Sequence, residues 1–292
     1  MYHLLAVLAC VFWGSTFVST KILLTAGMSP SMIFFLRFLI AYLAMLPFCH
    51  RRPFFVPWRD ELRMCVAGMT GGSLFFLAEN VSLLYVQSAS VSFISSLPPL
   101  LLVVWAVLYP GSKVRSSWRL WVGALLAVVG LWFVVGDIDP AASPRPLLGC
   151  SIALLSALLW CVYQLIVNPL SEKYGIDVTT RKIFGYGVVT IFPLVATELP
   201  ELPALFAQSK VWINILFLGL VASLFCFFAW NIVMEHMGAI KSSNYLYLNP
   251  LVTCVAAWFV LGEQVTVPMM LGGLCILIGI YLGVKPEKRN AT

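Results

Sequence analysis

Apolar residues fill this chain in long continuous runs, separated by short polar breaks. Each run is close to the roughly 20 residues that a helix needs to cross a bilayer. The pattern predicts ten helices, at about 4–24, 31–49, 63–85, 89–109, 118–136, 147–168, 182–199, 211–234, 240–261 and 266–284. The breaks carry turn chemistry, as in "TAGMSPS" after the first run, "YPGSK" after the fourth and "GDIDPAASPRP" after the fifth. The runs lack the period-two alternation of membrane strands, which excludes an outer-membrane barrel. The expected fold class is all-α, a polytopic membrane protein. The seventh run has the weakest pattern, with Gly185, Gly187 and Pro193 inside it and polar ends.

Composition agrees. Of 292 residues, 61% are hydrophobic and 10% charged, and the mean hydropathy is +0.96. Soluble domains carry about 25% charged residues. The basic residues predict orientation. With the N-terminus inside, fourteen of the 18 lysines and arginines fall in inner segments, from Arg51, Arg52, Arg59 and Arg63 to Lys285, Lys288 and Arg289. Only Arg145 and Lys210 fall outside; Lys21 and Arg37 lie within helices. Both termini are therefore expected in the cytoplasm. The net charge of +6 is an insertion signal and does not argue for nucleic acid. "LLAVLAC" before Cys10 has no basic residue ahead of it and the apolar run continues past it, so the first helix reads as uncleaved. The eight cysteines sit in or beside apolar segments with no Cys-x-x-Cys, as small buried hydrophobes do.

The chain also repeats. A shift of 151 aligns Asn80 with Asn231, Ser92 with Ser243, Pro99 with Pro250 and Gly111 with Gly262. A shift of 149 then aligns Gly123 with Gly272 and Gly130 with Gly279, and upstream Trp13 matches Trp160. The expected organisation is a first five-helix repeat over 1–140, a second over 145–285 and a cytoplasmic tail at 286–292. Five is odd, so the second half enters the membrane inverted. Inverted repeats are a transporter architecture, with the substrate site near midplane between the halves.

Three features resemble a known family: "FWGSTFV" in the first helix, Arg37 in the second, and a closing block with Pro250, Gly262-Glu263, Gly272 and Gly279. They are similar to the drug/metabolite transporter superfamily in its EamA-type branch, over nearly the whole chain. The second half departs at "LWCV", where the first has "FWGS", and the first departs at Gly111-Ser112, where the second has Gly-Glu. The resemblance implies export or exchange of small metabolites such as amino acids. The expected location is the plasma (bacterial inner) membrane.

Polar groups inside spans mark candidate chemistry, because a charge there costs roughly 2.5–3.5 kcal/mol on the insertion scale. Arg37, Glu79 and Lys21 lie at similar depths in the outer half. An Arg37–Glu79 pair would offset part of the cost and leave Lys21 as a surplus cation suited to a carboxylate. Snorkelling to the interface is the competing role for Lys21 and Arg37. The candidate cavity set is Trp13, Arg37, Glu79, Asn80, Trp160, Tyr163, Gln164, Trp230, Asn231, Asn244 and Tyr247, with Gln87, Tyr245 and Asn249 nearby. Such a set suits a zwitterion with an aromatic or aliphatic side chain. Pro98, Pro99 and Pro250 interrupt matched helices as hinges or static kinks. The glycine pairs of helices five and ten predict close helix contact, within the chain or between chains.

No His-Glu-x-x-His, intramembrane aspartate pair or Walker sequence is present. The three histidines fall at span ends. No enzyme activity, cofactor, metal or ATPase subunit is therefore expected. The partners expected are a small-molecule substrate and the lipid bilayer. The function expected is secondary transport, with a passive channel or scramblase-like pore as the alternative.

Overall fold

The structure, a computed structural model, describes residues 1–49, 54–109, 118–136, 145–237 and 244–284. Its long elements are helices in the predicted order. The first two are α1 (Tyr2–Thr25) and α2 (Pro30–Cys49). Next, α3 runs through Trp58–Tyr85 and α4 through Ser88–Leu108. Then come α5 (Trp118–Gly136), α6 (Pro146–Tyr174) and α7 (Ile176–Val195). The α8 helix is built from Ser209–Leu216, Phe217–Phe225 and Cys226–Met237. The α9 helix begins as a 3₁₀ turn, Asn244–Tyr247, and continues over Leu248–Leu261; α10 is Val267–Val284. Among the described residues, seven helices are long and apolar enough to cross a membrane, and two shorter apolar helices follow.

Two boundaries differ most from expectation. The α7 helix starts six residues early, at Ile176. Thr179 and Thr180 turn their hydroxyls back to the carbonyls of Gly175 and Ile176, which hides two polar side chains within the helix. Arg181, just ahead of the expected helix, and Lys182, at its expected start, are buried with partners. The α6 helix runs past Pro169 to Tyr174.

Side chains are distributed as a bilayer dictates. Large apolar residues such as Leu125, Trp132 and Phe259 are exposed on the periphery, while serines, threonines and charges such as Arg37 and Glu79 are buried inside. The tightest helix contact joins α5 to α10. A Cβ on Gly123 would lie 2.3 Å from the Gly279 carbonyl oxygen, and one on Gly279 would lie 2.4 Å from that of Gly123. Gly130 and Gly272 meet in the same reciprocal way, at 2.4 and 2.6 Å. Position 123 meets 279 while 130 meets 272, so the two helices run antiparallel, and each contact maps onto the other when the repeat positions are exchanged. The glycine contact is thus internal to the chain. A second matched irregularity lies in α3 and α8. Met69–Ser73 and Phe217–Phe225 are both π-helical, and a shift of 151 places the first within the second.

Candidate functional site

The matched helices converge on a cavity of about 250 Å³ at the centre of the bundle. The first half contributes Trp13 and Thr16 from α1, Arg37 from α2, Phe75, Phe76 and Glu79 from α3, and Ser95, Ser96, Pro98 and Pro99 from α4. The second half contributes Trp160, Tyr163 and Gln164 from α6, Thr180 from α7, Ser223 and Phe227 from α8, and Tyr247 and Asn249 from α9. The α4 helix breaks at this level. Helix Ser88–Ser95 ends and a new one starts at Pro98, whose missing N–H is harmless at the first helical position.

Arg37 faces the interior and is 7% exposed, which overturns the snorkelling reading. Its Nε donates to Ser223 Oγ at 2.6 Å, and its guanidinium lies 4.5 Å from the centre of the Phe76 ring. The expected ion pair with Glu79 is not made. The two charges share the cavity, and their fields interact, but they stand more than 4.0 Å apart. Glu79 instead accepts a hydrogen bond from Ser95 Oγ at 3.3 Å. The sequence expectation rests on depth along each helix, and depth does not determine the direction in which a side chain points.

Three more expectations need correction. Lys21 is no surplus cation for substrate. Its Nζ donates to the carbonyls of Leu83 and Val86, so it caps the C-terminal end of α3, where the helix dipole favours a cation. Asn80 does not line the cavity; its Nδ2 donates to the Pro30 carbonyl at 3.0 Å and ties α3 to the start of α2. Trp230 stands behind the wall, packed on Trp13 with ring centres 5.2 Å apart, while Trp13 Nε1 donates to the Ala222 carbonyl at 2.9 Å. Asn231 and Asn244 lie outside the described side chains. Pro250 is buried in the first turn of the α-helical part of α9.

Ser95 and Ser223 were not singled out from sequence, because a serine inside an apolar helix commonly bonds its own backbone and carries no distinct signal. The Gly262-Glu263 motif also gains a role. Gly262 ends α9 in the left-handed region, with φ +67°, a conformation that favours glycine. Glu263 then accepts from the Ser88 backbone N–H at 2.9 Å and from Ser88 Oγ at 2.8 Å, placing a carboxylate on the N-terminus of α4.

Contacts between the halves close the bundle at both ends. At the end remote from the N-terminus, Ser19 Oγ donates to Asn214 Oδ1 at 2.6 Å, Ser29 donates to Glu198, and Glu263 holds Ser88. At the N-terminal end, adjacent carboxylates of α3 reach to α6 and α7. Asp60 meets Lys173 at 2.6 Å and Tyr174 at 2.6 Å. Glu61 meets Lys182 at 2.6 Å and accepts from Tyr186. The cavity lining extends toward this end, to Thr180 and Tyr247 in the opening turns of α7 and α9.

The chain resembles known transporters over its whole length. A protein named "Uncharacterized transporter" from Archaeoglobus fulgidus is 24% identical over 284 residues, covering 96% of each chain. A protein from Streptantibioticus cattleyicolor named "Probable terminal-alkyne amino-acid exporter" is 26% identical, covering 94% of this chain and 91% of its own. A solved crystal structure superposes with a TM-score of 0.63 at 17% identity, over 96% of this chain and 95% of the other, a likeness of fold. The family model for EamA-like transporters matches twice, over residues 1–136 and 147–284. The chain therefore belongs to the EamA-like transporter family, and is a polytopic membrane transporter and not an enzyme.

Proposed function

We propose that this protein is a secondary exporter or exchanger of small metabolites, amino acids or related carboxylates and amines, working by alternating access. The observation that carries the reading is one central cavity walled by both halves of the chain. The halves, 1–140 and 145–285 with a cytoplasmic tail at 286–292, act as inverted repeats that rock about the antiparallel α5–α10 contact. Opening toward one side separates the contacts that close that end. The basic residues orient both termini to the cytoplasm of a bacterial inner membrane, so Asp60 and Glu61 guard the cytoplasmic end, and Ser19, Ser29 and Glu263 the outer one. The name of the Streptantibioticus cattleyicolor relative supports an amino-acid cargo. No nucleotide-binding sequence is present, so the energy comes from a gradient or from exchange.

Purified protein in liposomes tests this. Vesicles preloaded with a mixture of amino acids should accumulate labelled amino acid from outside by counterflow, without ATP. A requirement for ATP and a second protein would contradict the reading. So would flux insensitive to the solute on the opposite side, which is how a passive pore behaves.

A further inference from the structure

The cavity holds two opposite charges and does not join them. Arg37 and Glu79 are each more than nine-tenths buried. Arg37 uses its Nε on Ser223 and lies over the Phe76 ring, and its two terminal nitrogens have no hydrogen-bond partner among the described residues. Glu79 takes one long bond from Ser95 on Oε1, and its Oε2 has none among the described residues. A buried charge without a partner is expensive, and proteins normally pair it or remove it. Here neighbouring serines fix each charge in place while its remaining bonding capacity is left open to the same space. Beside Glu79 the wall is aromatic, with Phe75 and Trp160 centres 4.9 Å apart and Trp160 and Tyr163 centres 4.8 Å apart.

We infer that Arg37 and Glu79 form a zwitterion-recognition site that takes a free α-amino acid with a bulky apolar side chain. This assignment rests on the exporter reading above and sharpens its cargo. The guanidinium fork takes the carboxylate, the geometry for which it is suited. Glu79 takes the ammonium, and the side chain lies on the aromatic wall. The site rejects each half of its ligand alone. A simple amine satisfies Glu79 and leaves Arg37 buried without a counter-charge; a simple acid does the reverse. Sites that bind a polar group reject analogues lacking it, because their own buried groups are then left unpaired. The volume, about 250 Å³, lies just below the range of roughly 300–1,000 Å³ typical of ligand pockets and suits one amino acid, not a peptide.

Compounds sharing one side chain but differing in headgroup decide the matter. Counterflow of labelled phenylalanine and of labelled leucine is measured in liposomes, with phenethylamine, 3-phenylpropanoate, isoamylamine and 4-methylpentanoate as competitors. In the wild type each single-charge compound should compete at least about tenfold more weakly than its parent amino acid, the loss of one charge-assisted contact. Glu79→Gln should shift preference toward the acids, and Arg37→Gln toward the amines. The wild-type competition stands even where a variant fails to fold. Equal competition by a single-charge compound overturns the assignment, and so does transport of amines or acids but of neither amino acid; both outcomes leave the exporter reading intact. Absence of counterflow for phenylalanine, for leucine and for each of the four single-charge compounds when these are supplied labelled in turn overturns both.

Discussion

Gly123→Leu is expected to abolish folded protein, and Gly272→Leu to do the same from the other side of the contact. At both positions even a Cβ would sit within 2.6 Å of a carbonyl oxygen on the facing helix. That oxygen belongs to a helix backbone and cannot rotate away, so α5 and α10 must part along their length. Overpacking a well-filled contact costs typically 1–3 kcal/mol. Loss of the surrounding packing takes the expected cost to about 3 kcal/mol or more, a large fraction of a typical stability. The check is the monodisperse fraction of detergent-purified protein. Leu125→Val, on the exposed face of α5, serves as control and should leave that fraction unchanged. If Gly123→Leu behaves like the control, α5 and α10 do not form the rigid seam described.

Arg37→Leu separates a binding role from a structural one. An ion-paired Arg37 would leave Glu79 stranded on removal, lowering the folded fraction, and a second change at Glu79 would restore it. With no such contact, removing the charge relieves its own burial cost. The folded fraction of Arg37→Leu should therefore match the wild type, while affinity for transported amino acid falls at least tenfold, a loss of about 1.4 kcal/mol or more. Adding Glu79→Leu should leave the folded fraction unchanged and should not restore the affinity. A thermal-shift titration on the single and double variants reads both quantities. Recovery of folded protein in the double variant would restore the ion pair and remove Arg37 from the substrate.

The parts of this molecule that were legible in the sequence are those where the bilayer leaves little choice. Continuous apolar runs become helices because every backbone group must find its partner within the segment. Arg37 was marked for the interior because a charge facing lipid is costly, and it is buried there. Partners were less legible. The depth of a residue along its helix follows from counting; the direction in which it points depends on how the helices rotate against one another. That is why Arg37 and Glu79 found Ser223 and Ser95, and why Asn80, one residue after Glu79 and so about 100° round the helix, holds Pro30 instead. Lys21 and Glu263 carried a signal that went unread. A cation near one helix C-terminus and a carboxylate near the next N-terminus are the charges that the turn between α3 and α4 calls for.

The central claim is that one cavity serves both sides of the membrane in turn. Its most direct test places a cysteine at Ser96, on the cavity wall at the α4 break, after the eight native cysteines are replaced by alanine. An impermeant thiol reagent is applied from one side of oriented vesicles and then from the other. The account predicts labelling from each side, with substrate slowing both. Labelling confined to one side under all conditions, or no labelling at all, would contradict it.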